Sequence, residues 1–125
     1  MSKILRINMR DRSHSYEDVP DKYKYLGGRA ITSSILFDEV DPTCNPLGPN
    51  NKFIAAPGIL SGTNAPSSGR LSVGSKSPLT NGSKEANAGG LTAQKLGRLG
   101  VKAVIIEGQP KDDPNWYNIV ISKDK

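Results

Sequence analysis

The chain has 125 residues, 35% of them hydrophobic, with 13 glycines and nine prolines, which allows one small loop-rich domain, or part of one, with a modest core. Its net charge of +5 is compatible with nucleic-acid binding, but the basic residues are dispersed and form no arginine-rich run or aromatic ribonucleoprotein motif, so we expect no nucleic-acid partner. No apolar run is long enough to span a membrane and the N-terminus has no signal-peptide core, so we expect a cytoplasmic protein without a membrane partner.

The first half of the sequence predicts two strands followed by a helix. Alternating residues predict a strand at 3–8, and residues 15–19 can pair back on it after a polar turn. A short helical turn follows at 20–25, and residues 29–40 then have helical spacing until Pro42 removes a backbone donor. The predicted apolar stripe of this helix comprises Ala30, Ile31, Ile35, Leu36, Phe37 and Val40.

The second half predicts four more strands and a second helix. The helix begins just after Gly90 and runs to about Leu99, with Gly100 as its left-handed end. In the second of the four strands, Leu71 and Val73 share one face, which leaves Arg70 on the opposite face, free to reach a ligand. The class is α+β, with small β-sheets and two or three helices. The four strands are predicted at 52–56, 70–75, 101–107 and 116–122.

Three side chains that often carry chemistry have ordinary interpretations here. Cys44 is the only cysteine, so it cannot form a disulfide within the chain or supply an iron–sulfur or zinc ligand set, and we expect a half-exposed thiol in a proline-rich loop. His14, the only histidine, lies in a polar turn and is predicted to be solvated. Asn81 begins a glycosylation sequon that we interpret as a turn.

The most informative segment contains three glycine-rich turns, at 58–62, 65–70 and 85–90. Glycine backbone can approach a ligand closely and expose several N–H groups to it. Between residues 42 and 106 there are seven basic residues and one acid, Glu85, which predicts a pocket for an anionic, phosphate-bearing ligand. The seven are Lys52, Arg70, Lys76, Lys84, Lys95, Arg98 and Lys102.

The entry to the second helix, residues 87–90, is one candidate for that pocket. A glycine pair that opens a helix leaves backbone N–H groups unpaired, and the helix dipole adds partial positive charge there. An ordinary Asn/Gly helix entry explains the same residues without a ligand. Arg70 would favour the ligand if it converges on the same place, because its planar guanidinium matches phosphate oxygens or a heterocycle edge.

These motifs resemble the N-terminal domain of the tungsten-containing aldehyde:ferredoxin oxidoreductases. The order and spacing of the motifs match throughout, and the resemblance covers nearly all of the chain. The motifs are Gly62-Thr-Asn-Ala-Pro-Ser-Ser-Gly-Arg70, Lys76-Ser-Pro-Leu-Thr80, Ala86-Asn-Ala-Gly-Gly90 and residues 96–108, with a looser match at Tyr25-Leu-Gly-Gly-Arg29 and around Asp41-Pro42.

The resemblance implies an enzyme that oxidises aldehydes to carboxylic acids and passes electrons through an iron–sulfur cluster to ferredoxin. It implies a tungstopterin, in which two pterin dithiolenes hold tungsten, with molybdenum as an alternative metal. It also implies an oligomeric parent enzyme whose other domains, or a partner subunit, supply the cluster ligands and catalytic groups. The chain, 1–125, is then an incomplete pterin-binding portion that has no catalytic residue of its own and is inactive alone.

By resemblance, the residues that contact the pterin cofactor are Arg70, Asn87 and Gly89, with Ala88 as their neighbour. The position of Asn87 also helps to bind a magnesium ion that bridges the two pterin phosphates. The chain departs from the family pattern at Gly58-Ile-Leu-Ser-Gly62, where Gly-Pro-Leu-Thr-Gly is common, and at Asn81, where glycine is usual. These departures leave the substrate and the loop shapes open.

The residues themselves argue against two other kinds of site, a P-loop and a nucleophilic catalytic pair. Residues 69–77 approach a P-loop, but Ser75 stands where the lysine should follow Gly74, and Pro78 blocks the helix that such a loop needs. With one histidine and one cysteine, neither a Ser/His/Asp nor a Cys/His catalytic pair is available, and Glu107 and His14 are poor substitutes for the family's acid and histidine. A stand-alone, non-catalytic anion-binding or assembly module of the same fold remains the alternative function.

Overall fold

A computed structural model describes residues 1–111 and 115–123. One six-stranded sheet organises this part of the chain, in the order β2-β1-β6-β3-β4-β5. Strands β1 and β6 are parallel, and the other neighbouring pairs are antiparallel. The strands are β1 (Lys3–Asn8), β2 (Ser13–Asp18), β3 (Lys52–Pro57), β4 (Leu71–Lys76), β5 (Ser83–Ala88) and β6 (Val101–Glu107). The helices are a 3-10 turn (Asp21–Tyr23), α1 (Arg29–Glu39) and α2 (Leu91–Arg98).

The two α-helices cover opposite faces of the sheet, which divides the core in two. On β3, Ile54 packs with α1 and Ala55 packs with α2, because successive strand residues point to opposite faces. The α1 side is buried around Ile31, Ile35 and Ile105, each 0% exposed. The α2 side is buried around Leu96, Val101 and Val104, with Ile7, Val73 and Ile106 partly covered. The predicted α+β class is confirmed.

Helix α1 packs so closely on β4 that it needs a glycine opposite. A Cβ added to Gly74 would lie 2.9 Å from the Cβ of Thr32, which is itself fully buried. The Thr32 hydroxyl donates to the Arg29 carbonyl oxygen at 3.1 Å, so a polar side chain is tolerated in this core. The structure therefore turns Ile31, Thr32, Ile35 and Leu36 inward. The prediction that Ala30 and Phe37 belong to the inward stripe is wrong, since Phe37 is 89% exposed.

Two predictions of local structure are corrected in the second half of the chain. Residues 85–88 were expected in a glycine-rich turn, but they belong to β5, which pairs along its whole length with β4, and only the two glycines after it form the turn. The strand predicted at 116–122 is also wrong: those residues have no helix or strand assignment, and Ile121 packs on the α2-side core. Ile121 thus covers part of an existing sheet face without extending the ladder.

The other predictions of elements are confirmed to within a few residues. Strand β2 begins two residues earlier than expected, at Ser13. Helix α2 ends near Leu99, and Gly100 adopts a φ of +73°, as its predicted left-handed end. Cys44 is a free, half-buried thiol and His14 is exposed. Among the residues that the structure describes, no helix combines the length and apolar character needed to cross a bilayer.

A cluster of ion pairs lies at the end of the sheet where β1 and β6 finish. Arg6 binds Glu17 at 2.8 Å, Glu39 at 2.9 Å and Glu107 at 3.1 Å, and Lys52 also pairs with Glu107. The hydrogen bonds that Arg6 donates to Glu39 are the largest influence on its guanidinium and raise its pKa. Burial raises the pKa of Glu39, but the hydrogen bond and positive charge of Arg6 outweigh burial and leave that pKa below its ordinary value. The cluster joins β1, β2, α1, β3 and β6.

We predict that Glu39→Gln lowers the stability of the fold at neutral pH and makes that stability less dependent on pH in acid. Because the folded-state pKa of Glu39 is lowered, its ion pair stabilises the fold above the ordinary carboxyl pKa and is lost as the pH falls through the folded-state pKa. The substitution should lower the free energy of unfolding at pH 7 by about 1 kcal/mol and flatten its decline below about pH 4.3, measured by urea denaturation across pH. Asp18→Asn, at a carboxylate whose side chain is 80% exposed, is the control. An unchanged pH profile in Glu39→Gln would contradict the prediction.

Candidate functional site

The antiparallel pairing of β4 with β5 brings the predicted site residues together. Leu71 lies opposite Ala88, and Ser72 lies opposite Asn87. Arg70 immediately precedes β4 and Gly89 immediately follows β5, so both lie at this same end of the ladder. Residues 17 positions apart in the sequence therefore meet at one edge of the sheet, as the ligand interpretation of the helix entry requires.

Arg70 lies at the mouth of this edge with an exposed side chain. Its carbonyl oxygen accepts the Gly58 N–H at 3.1 Å, which fixes its backbone against the first glycine turn. Within the described residues, no hydrogen bond or ion pair holds the guanidinium. The face of β4 opposite Leu71 and Val73, on which Arg70 was expected, is covered by α1 at Gly74, so this face is open only where the strand begins.

Asn87 belongs to a small group of oxygen-bearing side chains. The Ser72 hydroxyl lies 3.1 Å from Asn87 Oδ1 and 3.2 Å from Glu85 Oε1. Arg29, the first residue of α1, approaches the other carboxylate oxygen of Glu85 at 3.4 Å. Amide, hydroxyl and carboxylate oxygens are the donors that a hard cation such as magnesium prefers. Across residues 1–111 and 115–123, no three His, Cys, Asp or Glu side chains cluster to hold a metal alone, so an ion here needs oxygen ligands from elsewhere.

The turn between β5 and α2 is open to close approach. A Cβ built on Gly89 or on Gly90 meets no atom within 4 Å. Gly90 adopts a φ of +106°, which other residues rarely adopt, and it caps α2 without a side-chain hydrogen bond. Ala88 is exposed beside this turn. Backbone N–H groups at the start of α2 can therefore be reached from outside.

The motif at residues 25–29 lies at the same end of the sheet. The Gly28 N–H donates to the Pro57 carbonyl oxygen at 2.9 Å, and Gly28 has a φ of +54°. A Cβ on Gly28 would lie 3.4 Å from the Ser72 hydroxyl oxygen. The start of α1 thus borders the Ser72 and Asn87 group, a relation that sequence spacing alone did not reveal.

Gln94 was not predicted, yet it ties the glycine turns to α2. Its Oε1 accepts the Gly62 N–H at 2.7 Å, and its Nε2 donates to the Ser68 hydroxyl at 3.3 Å. One turn farther along the helix, a Cβ on Gly97 would overlap the Ser61 carbonyl, and a Cβ on Gly62 would lie 2.7 Å from the Arg98 nitrogen. A glycine inside a helical sequence is the signal that could have indicated this close approach.

The predicted convergence of seven basic residues is wrong. Lys52 is paired with Glu107 at the far end of the sheet. Lys76 is buried and donates to the carbonyl oxygens of Pro42 and Cys44 at 2.6 and 2.5 Å. Lys102 donates to a backbone carbonyl oxygen, and its burial lowers its pKa. Of the seven, Arg70 is the one that the ladder places beside Asn87 and Gly89.

Two clefts of the described chain lie away from these residues. One of about 720 Å³ lies beside the exposed side of α1, and one of about 660 Å³ lies beside the Arg6 cluster. Neither is lined by Arg70, Asn87 or Gly89. Arg70, Asn87 and Gly89 are all exposed, so the edge that they form is an open ledge, and a ligand bound there would need walls from outside the described residues.

The sequence profile described as "Aldehyde ferredoxin oxidoreductase, N-terminal domain" matches residues 4–125. A tungsten-containing aldehyde ferredoxin oxidoreductase of Thermococcus kodakarensis is 39% identical over 109 residues, which are 86% of this chain and 18% of that protein. One of Pyrococcus abyssi is 42% identical over 119 residues, which are 94% of this chain and 19% of that protein.

A solved structure shows the same fold. It is titled "Active site complex BamBC of Benzoyl Coenzyme A reductase in complex with 1,5 Dienoyl-CoA", and the match has a TM-score of 0.82 and 31% identity over 87% of this chain and 17% of that one. The chain thus spans less than a fifth of the proteins that it matches. It belongs to the aldehyde ferredoxin oxidoreductase family, in the N-terminal domain.

A closely packed glycine, Gly97, and an open glycine, Gly89, should respond differently to alanine substitution. Gly97→Ala should lower the free energy of unfolding by about 1–3 kcal/mol, because its methyl group meets the Ser61 carbonyl and α2 must shift. Gly89→Ala should change it by less than about 0.5 kcal/mol, since the site is open and Gly89 has no positive φ. Thermal and urea denaturation of both variants provide the measurement. Equal destabilisation by the two substitutions would show that the turn at Gly89 has no room for a side chain.

Proposed function

We propose that this chain forms one side of a tungstopterin site in an aldehyde ferredoxin oxidoreductase. The observation that carries the proposal is the meeting of Arg70, Asn87 and Gly89 at one exposed end of the β4–β5 ladder. The family resemblance had indicated the same three positions from sequence alone. An ordinary helix entry explains Gly90, whose φ is positive, but it gives no reason for Gly89 or for an exposed arginine beside it.

Each of the three residues offers a different interaction to a pterin that carries a phosphate. The exposed guanidinium of Arg70 can donate two parallel hydrogen bonds to phosphate oxygens or to the edge of the pterin ring. Gly89 lets a bulky ligand approach the backbone, and the N–H groups that follow it at the start of α2 favour negative charge. Ala88 adds a small side chain that leaves the ledge unobstructed.

Magnesium, which the family resemblance implies beside the cofactor, would fit the side chains next to this ledge. Asn87 supplies a carbonyl-type oxygen, and phosphates and water supply the remaining ligands that magnesium usually retains. The hydroxyl of Ser72 and the carboxylate of Glu85 make the environment of Asn87 polar. In this proposal Asn87 is the chain's magnesium ligand.

When bound, the tungsten centre supplies the two-electron chemistry that converts an aldehyde and water to a carboxylic acid. The chain's own residues bind and orient the cofactor, and they exclude water from one side of it. An iron–sulfur cluster and ferredoxin carry the electrons onward in the proposed parent enzyme. Cys44 is the only cysteine, so the cluster ligands come from the remaining domains or a partner subunit.

Exposed apolar surface supports the need for those remaining domains. Phe53 is 44% exposed on the α2 side of the sheet, where Val73 and Ile106 are also only partly covered. Trp116 and Val120 are 99% and 82% exposed. Side chains of this kind are usually covered in a stable assembly. We propose a cytoplasmic, oligomeric parent enzyme in which other domains cover this surface and close the ledge.

Aldehyde is proposed as the substrate because curated relatives at 38–42% identity are named aldehyde ferredoxin oxidoreductases. The BamBC chain, at 31% identity, shows that the same domain serves in a benzoyl coenzyme A reductase. A non-catalytic anion-binding or assembly module remains the alternative. It would retain the Arg70 ledge but would purify without tungsten.

The first test compares two exposed cations in the full-length enzyme that carries this domain. Arg70→Ala should lower the tungsten and pterin content and the turnover by about tenfold or more, because a guanidinium paired with a cofactor contributes more than a solvated charge. Lys84→Ala, an exposed cation on the other side of β5, should leave both near wild type. Equal and negligible effects of the two changes would remove Arg70 from the cofactor site.

The second test concerns the 125-residue chain by itself. It should purify without an iron–sulfur cluster and should not oxidise aldehydes, because one thiol cannot replace the four thiolates of such a cluster. Iron analysis, visible absorption and an aldehyde assay with a dye acceptor measure this. Stoichiometric iron with charge-transfer absorption in the monomer would contradict the division of roles proposed here.

A further inference from the structure

The side chain of Asn87 depends on Ser72 for its orientation. Asn87 is exposed on β5, an edge strand, so a solvated amide there could adopt several rotamers. Its Oδ1 lies 3.1 Å from the hydroxyl of Ser72, which faces it across the ladder. We propose that Ser72 is a positioning residue that holds Asn87 ready for magnesium, an inference that rests on the proposed function.

The geometry of the amide oxygen makes this role possible. An amide oxygen has two lone pairs, and the Ser72 hydroxyl can donate to one of them. The second lone pair remains for a cation. A hydrogen bond that fixes a ligand side chain raises metal affinity, because less rotational freedom is lost when the ion binds.

Ser72 is well placed to act as a fixed donor. Its side chain is 4% exposed, and it lies on β4 between α1 and the neighbouring strands. Gly28, at the start of α1, leaves room for the hydroxyl: a Cβ there would lie 3.4 Å from its oxygen. A buried hydroxyl on a paired strand has little freedom to move, whereas the Asn87 amide at the edge has much.

Glu85 competes with Asn87 for the single proton of this hydroxyl. Its Oε1 lies 3.2 Å from Ser72 Oγ, and a carboxylate is the stronger acceptor. Arg29 lies 3.4 Å from the second carboxylate oxygen and satisfies part of its demand for a donor. The Ser72 hydroxyl is thus within hydrogen-bond distance of both acceptors, and in this proposal it donates to Asn87 while Arg29 engages Glu85.

The test uses the full-length enzyme that carries this domain. Ser72→Ala removes only the hydroxyl, and it should lower magnesium affinity by about tenfold or more, the usual effect of losing a partner that orients a metal ligand. The measurement is the magnesium-to-tungsten ratio after dialysis against graded EDTA, followed by the electron paramagnetic resonance spectrum of manganese bound in its place. The melting temperature and iron content should stay at wild type. Ser72→Thr, which keeps a hydroxyl, should retain the metal.

Two further variants separate the possible failures. Ser75→Ala makes the same chemical change on the opposite face of β4 and should retain magnesium. Asn87→Ala should release it. If Asn87→Ala keeps its magnesium, the proposed function itself fails at this position. If Asn87→Ala releases magnesium while Ser72→Ala behaves like Ser75→Ala, the proposed site stands and the positioning role of Ser72 is overturned.

Discussion

The contact of α2 with the first glycine turn determines the geometry of the candidate site. Gly97 approaches the Ser61 carbonyl so closely that no side chain fits between helix and turn. Gln94 of the same helix accepts the Gly62 N–H at 2.7 Å and donates to Ser68, so both glycine turns are fixed to α2. The first turn in turn fixes Arg70, through the hydrogen bond from Gly58. The backbone of Arg70 is thus fixed through the glycine turns and α2, while its side chain stays exposed.

The two ends of the sheet have different tasks. At one end Arg6 and Lys52 are neutralised by Glu17, Glu39 and Glu107, and these pairs join five elements of the fold. At the other end, Arg70 is exposed and glycines replace bulky side chains. Ion pairs that stabilise the domain therefore lie where they cannot compete for the proposed anionic ligand. Glu85 is the exception, and it is engaged by Arg29.

Much of the fold could be predicted from the sequence because its signals are local. Gly100 ends α2 through its own backbone conformation, and the alternation of β4 is visible in Leu71 and Val73. The failures depend on distant partners. Phe37 fits a helical stripe, yet it points away from the sheet because α1 turns Thr32 toward Gly74. The charge count around Arg70 misled, because no spacing rule could assign Lys52 to the opposite end or bury Lys76 against loop carbonyls. The role of Asn87 in a cofactor site is still a prediction.

The glycines separate structural from functional explanations at this edge. Gly62, Gly74 and Gly97 are explained by the fold, because a Cβ on each would meet an atom within 3 Å. Gly90 is explained by its positive φ. Gly89 has neither reason, since its surroundings are empty and its φ is ordinary. A residue that costs backbone entropy and gains nothing from packing needs another explanation. Close approach of a ligand beside Arg70 and Asn87 provides one, which is why Gly89 supports a binding site more strongly than the glycine-rich composition does.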